Sequence, residues 1–233
     1  MDRSLISVIV PVYNCARYLA AAIESALAQT WTPIQIIVIN DGSRDASADV
    51  ARSFGSSLIY AFQDHAGAGA ARNHGVKLAR GDYLAFLDAD DLWRRDKLAL
   101  QMSALASRPE LNAVFGHVEQ FLSPDLSYKQ AASMDCPAGA APARLPGTML
   151  IATAAFKNVG WFSSELRVGE FVEWYARAVE LGIKDEIIAD VVLRRRIHAT
   201  NSGVLQRDAR SDYVRIVKAA IDRRRKRVKE IAS

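Results

Sequence analysis

The chain has 233 residues, half of them hydrophobic, 24% charged and 8% aromatic, which suits one globular domain and excludes a disordered or fibrous chain. Its net charge of +4 is uneven: residues 207–233 hold ten Lys/Arg against four Asp/Glu, leaving 20 against 22 elsewhere, so the body has no basic footprint for nucleic acid. Two cysteines, Cys15 and Cys136, exclude a disulfide framework or a four-cysteine zinc site, and no uncharged stretch, Leu145 to Phe156 included, reaches the roughly 20 residues of a membrane span.

The opening MDRSLISVIV leads straight into Pro11 without a small-residue cleavage site, so it reads as a first strand rather than a signal peptide, and a cytoplasmic location is expected. Four runs rich in Ile, Val, Leu, Phe and Tyr read as strands buried on both faces: Ile6 to Val10, Ile34 to Ile39, Leu58 to Phe62 and Tyr83 to Leu87. Between the first two, Leu19, Ile23, Ala26 and Leu27 share one face of a helix over Arg17 to Gln29. Further helices are expected from Ser43 or Asp45, over Ala70 to Ala79 and over Arg95 to Ser107. This βαβ alternation predicts an α/β fold with a mostly parallel twisted sheet, whose ligands bind beyond the carboxyl ends of the strands. Tyr13, Asp41 and Asp88 fall at those ends.

From Pro109 to Gly147 four prolines and the stretch AGAAPA predict irregular structure. Regularity returns at TMLIATAAF, followed by a helix from Glu170 to Leu181 ending at Gly182 and a strand near Ile187 to Arg194. In the tail, Tyr213, Ile216, Val217, Ala220 and Ile221 recur at helical spacing, which predicts an amphipathic helix packed on the body with Arg223 to Lys229 solvated. Binding to acidic lipid, as a peripheral membrane contact, or to nucleic acid is the second reading of that tail. The expected organisation is a single domain over 1–206, divided into halves at 108/109, with a basic helix over 207–233.

GDYLAFLDADDLW sets Asp88, Asp90 and Asp91 just past a strand, and three clustered carboxylates repel one another unless cations sit among them. Hard oxygen donors of this kind suit Mn²⁺ or Mg²⁺ completed by substrate phosphates; the same residues also suit an exposed turn with Asp91 capping the next helix. AGAGAARNHG fails as a dinucleotide fingerprint, since Arg72 stands where the third glycine belongs, and this disfavours hydride transfer.

ISVIVPVYN, the NDGS turn at Asn40 to Ser43, AGAGAARNHG at Ala66 to Gly75 and FLDADDLW, in that order, closely resemble the family 2 glycosyltransferases. The resemblance is strong over residues 5–101 and continues through GEFVEWYAR to RRRIHATNSG. It implies a GT-A fold and transfer of a sugar from a nucleotide diphosphate donor. By the same resemblance Pro11, Tyr13 and Asn14 contact base and ribose, Asp41 accepts a uracil imide N–H, and Arg72, with Asn73 beside it, faces the diphosphate. Asp88 lies near ribose and metal, Asp90 is the firmer metal ligand, and His198 is a second metal or phosphate contact; His65, His74 and His117 receive no role.

One departure stands out. Family members take the acceptor proton with the aspartate of a Glu-Asp pair, and counting back from Arg177 puts Glu170 on the glutamate and Phe171 on the aspartate. Glu170 and Glu173, three apart on one helical face, are the remaining candidates for the base, and Glu173 also suits an ion pair with Arg177. The implied activity is inverting, metal-dependent transfer from a UDP-sugar to an acceptor that the sequence does not specify. The alternative is a non-catalytic sugar-nucleotide sensor with a degenerate base position. Oligomeric state stays open.

Overall fold

The computed structural model describes residues 4–201 and 211–231. Its first half is built of short βα repeats: β1 (Ile6–Val12), α1 (Ala16–Leu27), β2 (Ile34–Asp41), α2 (Ser47–Ser53), β3 (Ile59–Gln63), α3 (Ala68–Leu78) and β4 (Tyr83–Phe86). The two-residue strand β5 (Leu92–Trp93) and α4 (Lys97–Ser107) follow. The second half contains β6 (Ala113–Leu122), α5 (Tyr128–Ala132), β7 (Ala140–Ala143), β8 (Leu150–Ala152), α6 (Thr153–Val159), α7 (Glu170–Glu180), β9 (Asp185–Ile197) and α8 (Ser211–Ile231).

The nine strands of the described residues join one sheet in the order β3-β2-β1-β4-β8-β6-β9-β5, with β7 pairing β6 at the side. β1 to β4 pair in parallel, as their βαβ order requires. β6 and β9 also pair in parallel, but the expectation of a mostly parallel sheet does not hold throughout. β8 is antiparallel to both β4 and β6, and β5 and β7 are antiparallel to β9 and β6, so the whole is a mixed sheet. β4 and β6 are joined through β8, and the two halves of the chain therefore share one sheet.

Side chains alternate across that sheet. In β1, Ile6, Val8, Val10 and Val12 face Leu19 and Ile23 of α1 and Leu98 and Leu105 of α4, whereas Ile9 faces the opposite layer with Phe86, Phe156 and Trp174. Helices α1, α2 and α4 thus cover one face, and α3, α6 and α7 the other. Both layers bury apolar side chains almost completely, at about 25 cal/mol per Å² removed from water.

The stretch expected to be irregular contains the ten-residue β6, a correction with a physical cause. Its segment AVFGHVEQFL is interrupted by Gly116 and by the polar His117, Glu119 and Gln120, so no apolar run marks it. What makes it a strand is pairing with β7, β8 and β9, all distant in sequence. In the tail, α8 forms, but the expected buried face does not: Ile216 is buried while Tyr213, Val217 and Ile221 stay exposed. No helix among the described residues is long and apolar enough to cross a membrane.

Candidate active site

The carboxyl ends of β1, β2 and β4 converge, and the loops that leave them are tied together by side chains bonding backbone. Asn14, in the left-handed region at φ 48°, accepts from the Arg44 N–H (2.8 Å) while its own N–H donates to Ser43 Oγ (3.0 Å). The residue at the start of α1 is Cys15, not Asn14, and the orphan N–H of Ala16 is taken by Asp45 Oδ2 at 2.9 Å. Asp45 also receives Ser47 N–H and Oγ–H, so one carboxylate anchors the starts of α1 and α2. Those hydrogen bonds outweigh its partial burial and hold it below the usual carboxylate range. Cys15 is pushed up to about 12 by burial and by the Asp90 and Asp45 charges, so it stays a thiol.

Asp41 is 3% exposed and accepts four hydrogen bonds: from Gln63 Nε2 (2.7 Å), His65 Nδ1 (2.8 Å), and the N–H groups of Ala66 and Gly67 (both 2.9 Å). A carboxylate has about four acceptor positions, and all are filled. Asp41 therefore fixes the glycine-rich loop at the head of α3, with Gly67 at φ 89° where a side chain would be strained. The His65 ring lies on the Tyr13 ring, centroids 4.0 Å apart and 20° from parallel. Both are about half exposed, which makes a flat aromatic platform beside a buried acid. Nothing local in the sequence marks His65 beyond its place in the loop.

Arg72 occupies the centre. It is buried on α3 and forks between two carboxylates, Nη2 donating to Asp88 Oδ1 (2.7 Å) and Nη1 to Glu170 Oε1 (2.5 Å). Burial opposes its charge, but the Asp88 and Glu170 carboxylates outweigh burial and hold the guanidinium more firmly protonated than usual. Its Nε is buried with no partner among the described residues. Gly69 makes the approach of α7 possible: a Cβ there would stand 2.5 Å from the Ser163 carbonyl oxygen and 3.3 Å from Glu170 Cγ. Asn73 locks the same junction, exchanging hydrogen bonds with the backbone of Phe162 at 2.8 and 3.0 Å.

The Asp90–Asp91 turn meets the end of β9, because β5 pairs with β9 immediately after it. Asp91 is 5% exposed and accepts from Arg196 N–H (2.8 Å), so it binds the strand rather than capping α4, whose cap position is Asp96. Burial, and then the charges of Asp90 and Asp88, raise its pKa well above the usual carboxylate range. His198 Nε2 lies 2.9 Å from Asp90 Oδ2, and its Nδ1 receives the Thr200 N–H at 3.3 Å, an arrangement that puts the ring proton on Nε2. Thr200 Oγ1, 2.9 Å from Nδ1, can accept that proton when Nε2 serves as a ligand. Asn201 clamps the turn through His198 N–H, the Arg196 carbonyl and Asp90.

Among the described residues no group of three or more His, Cys, Asp or Glu side chains is placed to hold a metal ion by itself. Asp90 and His198 nevertheless present adjacent hard and borderline donors, with Asp88 on the same loop. That set fits a Mn²⁺ or Mg²⁺ ion whose remaining positions come from substrate phosphates, not an all-protein cage.

The two candidate bases separate clearly. Glu170 touches Arg72, whereas Glu173 faces the other way, bound to Arg177 (Nε–Oε1 3.0 Å) and to Arg223 of α8 (3.3 Å). Phe171 is buried among Phe115, Phe162, Trp174 and Tyr175. Trp174 Nε1 donates to the Gly160 carbonyl and Arg177 to those of Val159 and Trp161, so α7 is fastened to the segment before it.

Residues 7–159 match the sequence profile of Glycosyl transferase family 2. The chain belongs to that family. An uncharacterised glycosyltransferase of Rickettsia typhi is 34% identical over 174 residues, covering 70% of this chain and 55% of its own length. One from Rickettsia prowazekii is 30% identical over 225 residues, covering 89% and 70%. An Escherichia coli UDP-Glc:α-D-GlcNAc-diphosphoundecaprenol β-1,3-glucosyltransferase, WfaP, is 40% identical over 100 residues, 42% of this chain and 40% of that protein. This family 2 chain thus spans about half the length of the Rickettsia typhi relative. In fold it is similar to S. aureus TarS 1–349 solved with UDP (TM-score 0.69, 18% identity, 93% of this chain and 65% of that one). It is also similar to the mannosyltransferase PcManGT of Pyrobaculum calidifontis solved with GDP-Man and Mn²⁺ (TM-score 0.64, 20% identity, 86% and 59%).

Proposed function

We propose that this protein transfers a sugar from a nucleotide diphosphate donor, a UDP-sugar, to an acceptor hydroxyl with inversion at the anomeric carbon. The single observation that carries the reading is the fork of Arg72 between Asp88, on the donor side, and Glu170, at the head of α7. One buried cation thereby joins the carboxylate that follows β4 to the carboxylate placed to meet an acceptor.

The nucleobase docks on the Tyr13–His65 platform beside Pro11 and Asn14. Asp41 receives its imide N–H only by giving up the His65 imidazole, the one of its four donors carried on a side chain about half exposed. Asp90 and His198, with Asp88, would hold Mn²⁺ or Mg²⁺, which when bound would supply Lewis-acid neutralisation of charge on the diphosphate. Arg72 sets a second fixed positive charge at the same place, and its fork keeps the Glu170 carboxylate oriented. Glu170 takes the acceptor's hydroxyl proton as the new C–O bond forms and the bond to the diphosphate breaks. Glu173 holds α7 against α8 and takes no proton. In this reading residues 1–108 form the donor half and 109–206 the acceptor half.

One observation favours the alternative of a non-catalytic sugar-nucleotide sensor: Phe171, at the position of the family's aspartate, points into an aromatic core. Incubation with a panel of UDP-sugars and Mn²⁺, with UDP release as the readout, separates the two. Release above the protein-free rate is expected; tight UDP binding with no release, whatever acceptor is offered, would establish the sensor.

A further inference from the structure

The helix α8 shows an apolar strip that the body does not cover. Ile216 is buried toward α7, and Arg223 bonds Glu180 (2.7 Å) and Glu173 (3.3 Å), so the helix is fastened along one side. Asp212 strengthens the attachment by accepting the Arg167 N–H at 3.0 Å. On the remaining circumference Tyr213 (47%), Val214 (71%), Val217 (58%) and Ile221 (44%) are exposed. With Lys218, Asp222 and Arg225 they line an open groove of about 520 Å³. The neighbouring α7 also leaves Val172 and Val179 exposed.

Charge decides the occupant. From Ser211 to Ile231 the sequence carries eight Lys/Arg against three Asp/Glu, and among the described residues neither Lys218 nor Arg225 has a carboxylate partner. A second copy of α8 laid on this strip would bring the same positive excess against itself. A nucleic acid would match the charge but leave Val214, Val217 and Ile221 against a polar surface. A sheet of anionic headgroups above acyl chains satisfies both features, since a basic amphipathic helix of low mean hydropathy lies in the bilayer interface with its apolar side immersed.

We propose that α8 docks the protein on anionic membrane surfaces, with Val214, Val217 and Ile221 entering the acyl boundary and Lys218 and Arg225 meeting lipid phosphates. The helix then carries the site on α7 and β9 to a bilayer surface. Docking does not depend on the donor reading, because none of these side chains belongs to the donor site.

The test uses the full chain with vesicles of phosphatidylcholine alone and of phosphatidylcholine mixed with phosphatidylglycerol, scored by co-sedimentation. Binding is expected to the anionic vesicles only and to weaken as salt rises. The V217D/I221D double variant, altered at exposed positions, and K218E/R225E are each expected to weaken it roughly tenfold or more at an unchanged melting temperature. A Tyr213→Trp variant is expected to shift its fluorescence to the blue when anionic vesicles are added. Three results would overturn the proposal: equal binding to both vesicle types, no binding to either, or a dimer in solution that V217D/I221D dissolves.

Discussion

The two halves of the molecule build their site by opposite means. In the first half, the ends of β1 and β2 deliver groups fixed by backbone N–H groups of adjoining loops: Asp41 by those of Ala66 and Gly67 after β3, Asn14 by that of Arg44 after the NDGS turn. In the second half, α7 and β9 arrive from elsewhere in the chain, and Glu170 and His198 reach the site as side chains across long sequence separations. The difference assigns labour. Rigid backbone-held groups suit binding of the donor, whereas side chains brought in from a second element suit the chemical step.

The sharpest test of that division is Glu170→Gln, which keeps the hydrogen bond from Arg72 but removes the proposed base. It is expected to lower kcat about 10²- to 10⁴-fold with donor affinity nearly unchanged, as measured by steady-state kinetics and calorimetric titration of UDP. An equal loss in binding and turnover would break the comparison. Tyr13→Ala, in the first half, is expected to do the reverse: about tenfold weaker UDP binding, or about 1.4 kcal/mol, with kcat for bound donor little altered.

Smaller effects test the framework. Glu173→Gln weakens the ties from Arg177 and Arg223 and is expected to cost about 1–2 kcal/mol in denaturant unfolding while kcat holds within a few-fold. The first half also contains Lys97, fully buried, with its Nζ on Gln101 Oε1 (2.6 Å) and over the Trp93 ring. Burial pulls its pKa well below 10.5. The unfolded chain therefore takes up a proton that the folded chain refuses, so stability falls as pH drops below 10.5 toward the folded value and is greatest above it. Lys97→Met is expected to flatten that slope, seen as melting temperatures that converge with those of the parent at alkaline pH and exceed them at neutral pH.

The first half was legible because each of its strands is an apolar run closed by turn residues and followed by a helix whose apolar positions repeat. β6 was not: the half-buried His117, Glu119 and Gln120 break its apolar run, and nothing local distinguishes it from a loop. Of the residues expected at the site from motif, Asp88 and Glu170 meet around the Arg72 guanidinium, and Asp90 meets His198 at one turn. His65 has no local signal because it acts through contacts with Tyr13 and Asp41 made only in three dimensions, and Asp45, expected at the start of one helix, also anchors the start of α1. The tail departs in the opposite sense: its apolar periodicity is real, but Ile216 alone of the five is buried, with Tyr213 only touching Gly169 and Val217 and Ile221 exposed.

The most direct trial of the donor site is sugar transfer or UDP release by a purified Asp90→Ala protein beside the unaltered one, with and without Mn²⁺. Turnover that requires the ion in the unaltered protein and falls at least about 10³-fold in the variant, whose melting temperature stays within a few degrees, is what the site's geometry predicts. Metal-dependent turnover preserved in the folded variant would show that the turn after β4 does not hold the donor's diphosphate.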